Sequence, residues 1–364
     1  MSTLSVLALT RIPGIGAVLA RTLLSHFGAA EAIFTASYKQ LLQIEGIGPQ
    51  LARNIRQFKE FDACAAELAF ANTHDIQTLI LGDENYPKRL SYCYDAPILL
   101  FYKGNAHLNA SKIVSIVGTR NATSYGKLMC EELVAGLADQ GALVVSGLAY
   151  GIDAVAHKAC LKIGLPTLGV LAHGLDRMYP YAHRKLAVEM LEKGGLLTEF
   201  PSQSTPDREN FPKRNRIIAG LADATIVVEA NVKGGALITA DLANSYDREV
   251  CAFPGRASDE YSLGCNELIK TNRAHLVTQA ADVLALLSWD IGKPLEKRPL
   301  AADWATRTPD EHLVLRNLTH REGVHLDRLA FATGFSSSKL SLVLLGLQLA
   351  GLVHIKPGNC CVLA

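Results

Sequence analysis

The sequence carries almost no net charge. Its 36 Lys and Arg face 35 Asp and Glu, a formal +1. Bulk basicity of the kind that coats nucleic acid is excluded, so any nucleic-acid site must be a local patch. Long apolar runs are also missing. None approaches the ~20 residues a membrane span needs, and the start, MSTLSVLALTRIPGIG, lacks the basic segment and apolar core of a secretory leader. Cysteine is present but unpaired by spacing. Cys64, Cys93, Cys130, Cys160, Cys251, Cys265, Cys360 and Cys361 form no C-x-x-C, which argues against a metal site and for reduced, buried thiols in a cytoplasmic protein. No G-x-x-x-x-G-K-[ST] run occurs, and G-x-G-x-x-G does not follow the first β-branched run. ATP and NAD chemistry are therefore disfavoured and no cofactor is expected. G-x-S-x-G is absent from "SGLAYGIDAVAH", where Ser146, Asp153 and His157 lie close together. Asp153 and His157 are four apart on one helix face and are expected to pair with each other rather than to serve a nucleophile.

What is present is a chain of 364 residues, 49% apolar and 20% charged, enough for two or three domains with a large core. Residues 1–75 read as a helical domain with an internal repeat. "IPGIGAVLARTL" (Ile12–Leu23) matches "IEGIGPQLARNI" (Ile44–Ile55) in the pattern h-x-G-I-G-x-x-L-A-R. Gly14 and Gly16, and Gly46 and Gly48, permit tight hairpins between short helices. This segment resembles a duplicated helix-hairpin-helix, whose backbone N–H groups can meet a DNA phosphate. The same hairpins also serve as packing units, and both readings stand here. Leu79 to Tyr102 reads as irregular structure ending in a short strand, Ile98–Tyr102.

Residues 76–288 read as one α/β domain. From Lys112 onward, the apolar runs "KIVSIVG", "ALVVSG", "PTLGVLA", "GLLTEF", "ATIVVEA" and "EVCAFPG" alternate with helical stretches. Strands buried on both faces look like this, and the alternation predicts a doubly wound, mainly parallel sheet. Residues 289–309 read as a linker. Residues 310–364 show helical patterns at Glu311–Thr319, Leu326–Thr333 and Ser337–Ala350, then two short strands about the turn Pro357-Gly358-Asn359, which together describe a winged helix. The third of these helices has one cation, Lys339, and reads as a packing or protein-contact surface rather than a reader of base edges.

In such a sheet the ligand sits at the carboxyl ends of the strands. There the sequence places Gly118-Thr119-Arg120, Ser146-Gly147, His173-Gly174, the basic stretch "NFPKRNR" (Phe211, Lys213, Arg214, Asn215, Arg216) and Lys233-Gly234-Gly235. Glycines allow close backbone approach, helix starts add partial positive charge and the side chains add full charge. Phosphate is the ligand that uses all three. An ion pair of Arg120 or Arg216 with Asp153 or Glu229 is the competing structural use.

"SIVGTRNATSYG", "VVSGLAYGIDAVAHKACL", "GVLAHGLDRMYP", "NFPKRNRIIAGLADATIVVEA", "GGALITADLA", "AFPG" and "GCNELI" occur in that order. In this the chain resembles the DprA/Smf family of DNA-processing proteins. The resemblance implies an extended Rossmann fold, sequence-independent binding of single-stranded DNA, a homodimer, loading of the RecA recombinase in natural transformation, and no enzymatic activity. It also implies that Arg120, Lys213 and Arg214 hold backbone phosphates, with Asn215 and Arg216 in support and Phe211 positioned either to stack on a base or to pack in the core. The alternative is a nucleotide-processing Rossmann enzyme of the nucleoside monophosphate phosphoribohydrolase type. For that activity "VKGGALITADLA" lacks the second glycine pair and the glutamate, leaving Asp241 as the nearest carboxylate.

Overall fold

In a computed structural model, the protein is described for residues 2–289, 307–318 and 323–363. The expected linker falls almost wholly outside the described residues, as does the end of the helix expected at Glu311–Thr319. The centre of the molecule is a nine-stranded sheet: β1 (Gln77–Ile80), β2 (Leu99–Gly104), β3 (Ile113–Val117), β4 (Leu143–Ser146), β5 (Thr167–Val170), β6 (Gly194–Thr198), β7 (Ala224–Val227), β8 (Glu249–Ala252) and β9 (His275–Leu276). Their spatial order is β1-β2-β6-β5-β4-β3-β7-β8-β9. The seven strands from β6 to β9 in that order are parallel, and β1 and β2 are antiparallel to their neighbours.

The parallel strands are apolar on both sides because both sides are covered. Ile113 and Val117 of β3 join a core with Ile217, Ile218 and Ala240 from the helices Asn210–Leu221 and Gly235–Ser245. Val114 and Ile116 face the opposite way, onto Leu133, Val134, Ile152 and Ala156 of the helices Ser124–Gly136 and Ile152–Ile163. One polar pair crosses the sheet interior, Ser115 Oγ to Thr225 Oγ1 at 2.7 Å, and each hydroxyl satisfies the other.

The stretch expected to be irregular is more ordered than its prolines suggested. β1 and β2 pair over four residues, with Ile80 opposite Leu99. They are stabilised from outside: Ile80, Ile98, Leu99 and Phe101 lie in one apolar cluster with Val6, Leu7, Leu23 and Ile55 of the N-terminal helices. Arg21 extends from the first repeat to the backbone carbonyls of Cys93 and Ser91. Glu67 accepts from the Ser202 N–H at 2.8 Å and from its hydroxyl.

The two repeats pack by exchange. Gly14 and Gly46 have φ of +87° and +81°. A Cβ on Gly14 would lie 2.6 Å from Leu51 Cδ2, and one on Gly46 would lie 2.7 Å from Leu19 Cδ2. Each hairpin glycine thus makes room for the leucine of the other copy.

The C-terminal module has helices Pro309–Arg316, Leu326–Thr333 and Ser337–Leu349 and a three-stranded sheet of β10 (Val324–His325), β11 (Val353–Lys356) and β12 (Cys360–Leu363). Thr308 and Glu311 form a capping box at its first helix. On the third helix Leu342, Leu345 and Leu349 are exposed, which agrees with an apolar surface rather than a polar reading face.

Candidate nucleic-acid interface

The strand order reverses at β3. From there β4, β5 and β6 run one way and β7, β8 and β9 the other. The loops leaving β3 and β7 must diverge, and a crevice of about 540 Å³ opens between them at the carboxyl ends of the strands. Gly118, Thr119 and Arg120 form one wall and Lys233, Gly234 and Gly235 the other, with Phe211, Arg214 and Asn215 behind.

The β3 loop is set by close packing. A Cβ on Gly118 would stand 2.5 Å from Ile152 Cγ1, so the residue after the strand has to be small. The Thr119 N–H donates to Glu229 O at 2.7 Å. Arg120 is exposed, its guanidinium carbon 5.4 Å from the centre of the Phe211 ring. At the β7 loop, the helix Gly235–Ser245 starts on Gly234 with no side-chain cap. Its first N–H groups are at the crevice with Lys233, which is also exposed. Asn215 steadies that start by donating to Gly235 O at 3.2 Å.

The neighbouring helix start is closed. Glu229 is buried and accepts from the Thr123 N–H and hydroxyl at 2.9 and 2.5 Å. A Cβ on Gly126 would lie 2.0 Å from Glu229 Oε2. The helix Ser124–Gly136 is the one that would receive a pyrophosphate in a dinucleotide-binding fold, and here the protein's own carboxylate occupies its N-terminus. Glu229 is therefore bound to this helix start and pairs with neither Arg120 nor Arg216.

The basic stretch divides in three. Arg214 is 4% exposed. Its Nη1 donates to Gly147 O and Val170 O, and its Nε to Asn215 Oδ1 at 3.2 Å. Burial pulls the guanidinium down to about 10, while Asp153 pushes it up, so it stays charged at neutral pH. Arg214 closes the floor of the crevice and ties β4 to β5. Gly147 is glycine because a Cβ there would lie 2.4 Å from Arg214 Nη1. Ser146 is also internal: its hydroxyl donates to Ile116 O at 2.6 Å. Lys213 is exposed and faces a second cleft of about 1060 Å³ beneath the N-terminal helices, shared with Gly16 and Arg216. Arg216 is paired there with Glu199 and donates to Asp95 O at 2.8 Å, so its ion partner is neither of those expected. Gly48, the matching glycine of the second repeat, faces open space.

Asp153 and His157 do not pair. Asp153 accepts from the Ala149 N–H at 3.3 Å, and burial raises its pKa. His157 Nδ1 meets Thr167 Oγ1 at 2.7 Å. Asp241 forms an exposed ion pair with Arg273 at 2.9 Å and does not line the crevice. Among the described residues no group of three or more His, Cys, Asp or Glu could hold a metal ion.

Sequence reasoning passed over the aromatic rim. Tyr150 and Tyr179 are 48% and 45% exposed beside Arg120 and Phe211. The rings of Tyr179 and Phe211 are 6.0 Å apart. His173 holds Tyr179 in place, accepting its N–H at 3.2 Å on Nε2 while Nδ1 donates to Gly174 O at 2.8 Å. Burial lowers the His173 pKa, consistent with this neutral form. The signal for the rim was position alone: both tyrosines follow apolar runs, β4 and β5.

A family model described as DNA recombination-mediator protein A matches residues 77–288. Models of a SAM-like helix-hairpin-helix tandem and of the DprA winged helix domain match residues 6–58 and 297–359. Protein Smf of Synechocystis is 32% identical, with 97% of this chain and 96% of that protein aligned. Protein Smf of Escherichia coli is 36% identical, over 88% of this chain and 86% of that protein. The X-ray structure of DNA processing protein A from Streptococcus pneumoniae superposes with a TM-score of 0.69 at 33% identity, covering 78% of this chain and 98% of that one. A structure described as showing the single-stranded DNA binding mode of the Helicobacter pylori protein superposes with a TM-score of 0.54 at 30% identity, covering 59% and 96%.

Proposed function

The chain belongs to the DNA recombination-mediator protein A (DprA/Smf) family, and from that premise we propose that it binds single-stranded DNA at the β3–β7 crevice without reading sequence. One observation carries this reading. An open helix start at Gly235 and two exposed cations, Arg120 and Lys233, share a crevice with the half-buried ring of Phe211 and lie close to Tyr179. Cations and backbone N–H groups take phosphates, while aromatic faces take any unpaired base. A duplex keeps its bases stacked inside and gains only the first of these. Glu229 at the other helix start argues against a dinucleotide, and Asp241 in its exposed pair argues against phosphoribohydrolysis. On the family resemblance the bound strand belongs to natural transformation, where the protein acts as a homodimer, shields incoming DNA and loads the RecA recombinase.

The test is fluorescence anisotropy of labelled oligo(dT) at several salt concentrations, beside a duplex of equal length. Each phosphate neutralised contributes a slope of about −0.7 in log K against log salt. Arg120→Ala is expected to weaken binding about tenfold and to reduce the slope by about one contact. Equal affinity for duplex, or an unchanged slope in the variant, would remove the crevice from the reading.

A further inference from the structure

A cavity of about 530 Å³ lies where the C-terminal module meets the α/β body, remote from the β3–β7 crevice. Two arginines border it and they differ. Arg89 has a carboxylate partner: it grips Asp223 through Nε and Nη2 at 2.7 and 2.9 Å, and donates to Ala110 O and Ser111 O at 2.8 and 2.9 Å. Arg248 is 4% exposed, and among the described residues no carboxylate forms an ion pair with it. Its Nη2 donates to Arg89 O at 2.9 Å and its Nη1 to Pro357 O at 3.2 Å, both neutral carbonyls, while Nε has no partner. A buried charge that lacks a counter-ion is costly unless an anion close by offsets it.

The wing of the module holds this guanidinium in place. A Cβ on Gly358 would lie 1.9 Å from Arg248 Nη1. The Gly358 N–H donates to Asp247 O at 2.7 Å, and Asn359 Nδ2 to Asp247 Oδ2 at 2.8 Å. Lys356, exposed on β11, lines the same cavity and brings a second cation from the wing side.

We propose that this cavity is a second anion site, which takes a phosphate group between Arg248 of the body and Lys356 of the wing. A phosphate there touches both units and so fastens the winged helix to the sheet. Its chemistry is that of a free phosphorylated ligand or of a DNA backbone, and the test separates them. The full chain carrying Arg120→Ala and Lys233→Ala, with its strand-end crevice weakened, is dialysed to equilibrium against radiolabelled inorganic phosphate, and oligo(dT) affinity is read in parallel. Saturable phosphate binding is expected, weakened about tenfold by Lys356→Ala, a surface change that leaves the fold intact, and by Arg248→Gln. A parallel fall in oligo(dT) affinity assigns the site to the DNA backbone; a fall in phosphate binding alone assigns it to a free ligand. Absence of saturable phosphate binding, or binding that Lys356→Ala leaves unchanged, overturns the proposal whether or not Arg248→Gln folds.

Discussion

Arg120 and Arg214 both lie over the Phe211 ring, 5.4 and 6.0 Å from its centre, and differ in burial. Arg120 is exposed, so on the proposed reading its removal should lower DNA affinity and cost little stability. Arg214 is internal and shares its surroundings with Asp153. Truncating it to Ala leaves Gly147 O and Val170 O short of a donor and Asp153 short of a counter-charge. The expected loss is about 3–5 kcal/mol of unfolding free energy, read from urea melts. His157 adds a pH dependence. Burial lowers it from 6.5 to about 3. Between those values the unfolded chain binds a proton and the folded chain does not, so stability present above pH 6.5 is lost as pH falls. From pH 7 to pH 5 this one group removes roughly 2 kcal/mol. Unfolding free energies from urea melts at the two pH values should differ less in His157→Gln than in the natural protein, by about that amount.

At the scale of elements, the reciprocal seats of the N-terminal repeats make a sharp prediction. Gly14→Ala incurs a left-handed backbone penalty and a clash with Leu51, together about 2–3 kcal/mol. Leu51→Ala relieves the clash but not the backbone, so a double-mutant cycle in thermal melts should show coupling between the pair and none between Gly14 and Leu19. The repeat itself was legible in the sequence; the exchange was not, because spacing cannot say which copy a leucine faces. The parallel strands were equally legible, as apolar runs buried on both faces. β9, of two residues, was too short to carry a pattern, and β1, which reads Gln-Thr-Leu-Ile, has only two apolar residues and depends on helices outside the sheet for its burial. The cations of the basic stretch separate for a geometric reason. On a helix of 3.6 residues per turn each step is about 100°, so Lys213, Arg214 and Arg216 leave in three directions. Adjacent in sequence, they serve a cleft, a sheet floor and an ion pair with Glu199.

For the whole molecule, the apolar cluster that joins the N-terminal helices to Ile80, Ile98, Leu99 and Phe101 makes β1 and β2 dependents of those helices. Leu7→Ala, a fully buried truncation in that cluster, should cost about 2–5 kcal/mol. In hydrogen exchange, amides of β1 and β2 should lose protection together with the helices Thr3–Arg11 and Phe61–Thr73, while β3 to β8 keep theirs. Protection lost from the helices alone would mean that the two regions open independently. The same cluster sets an order of events during synthesis. Chain growth delivers residue 75 well before residue 104, the end of β2. At ~5–20 residues per second that gap lasts roughly 1.5 to 6 seconds. Throughout it the newborn helices have a greasy side and nothing yet made to cover it. The nascent chain is therefore most exposed to chaperones and to premature sticking just before its first strand pair, β1 and β2, leaves the ribosome.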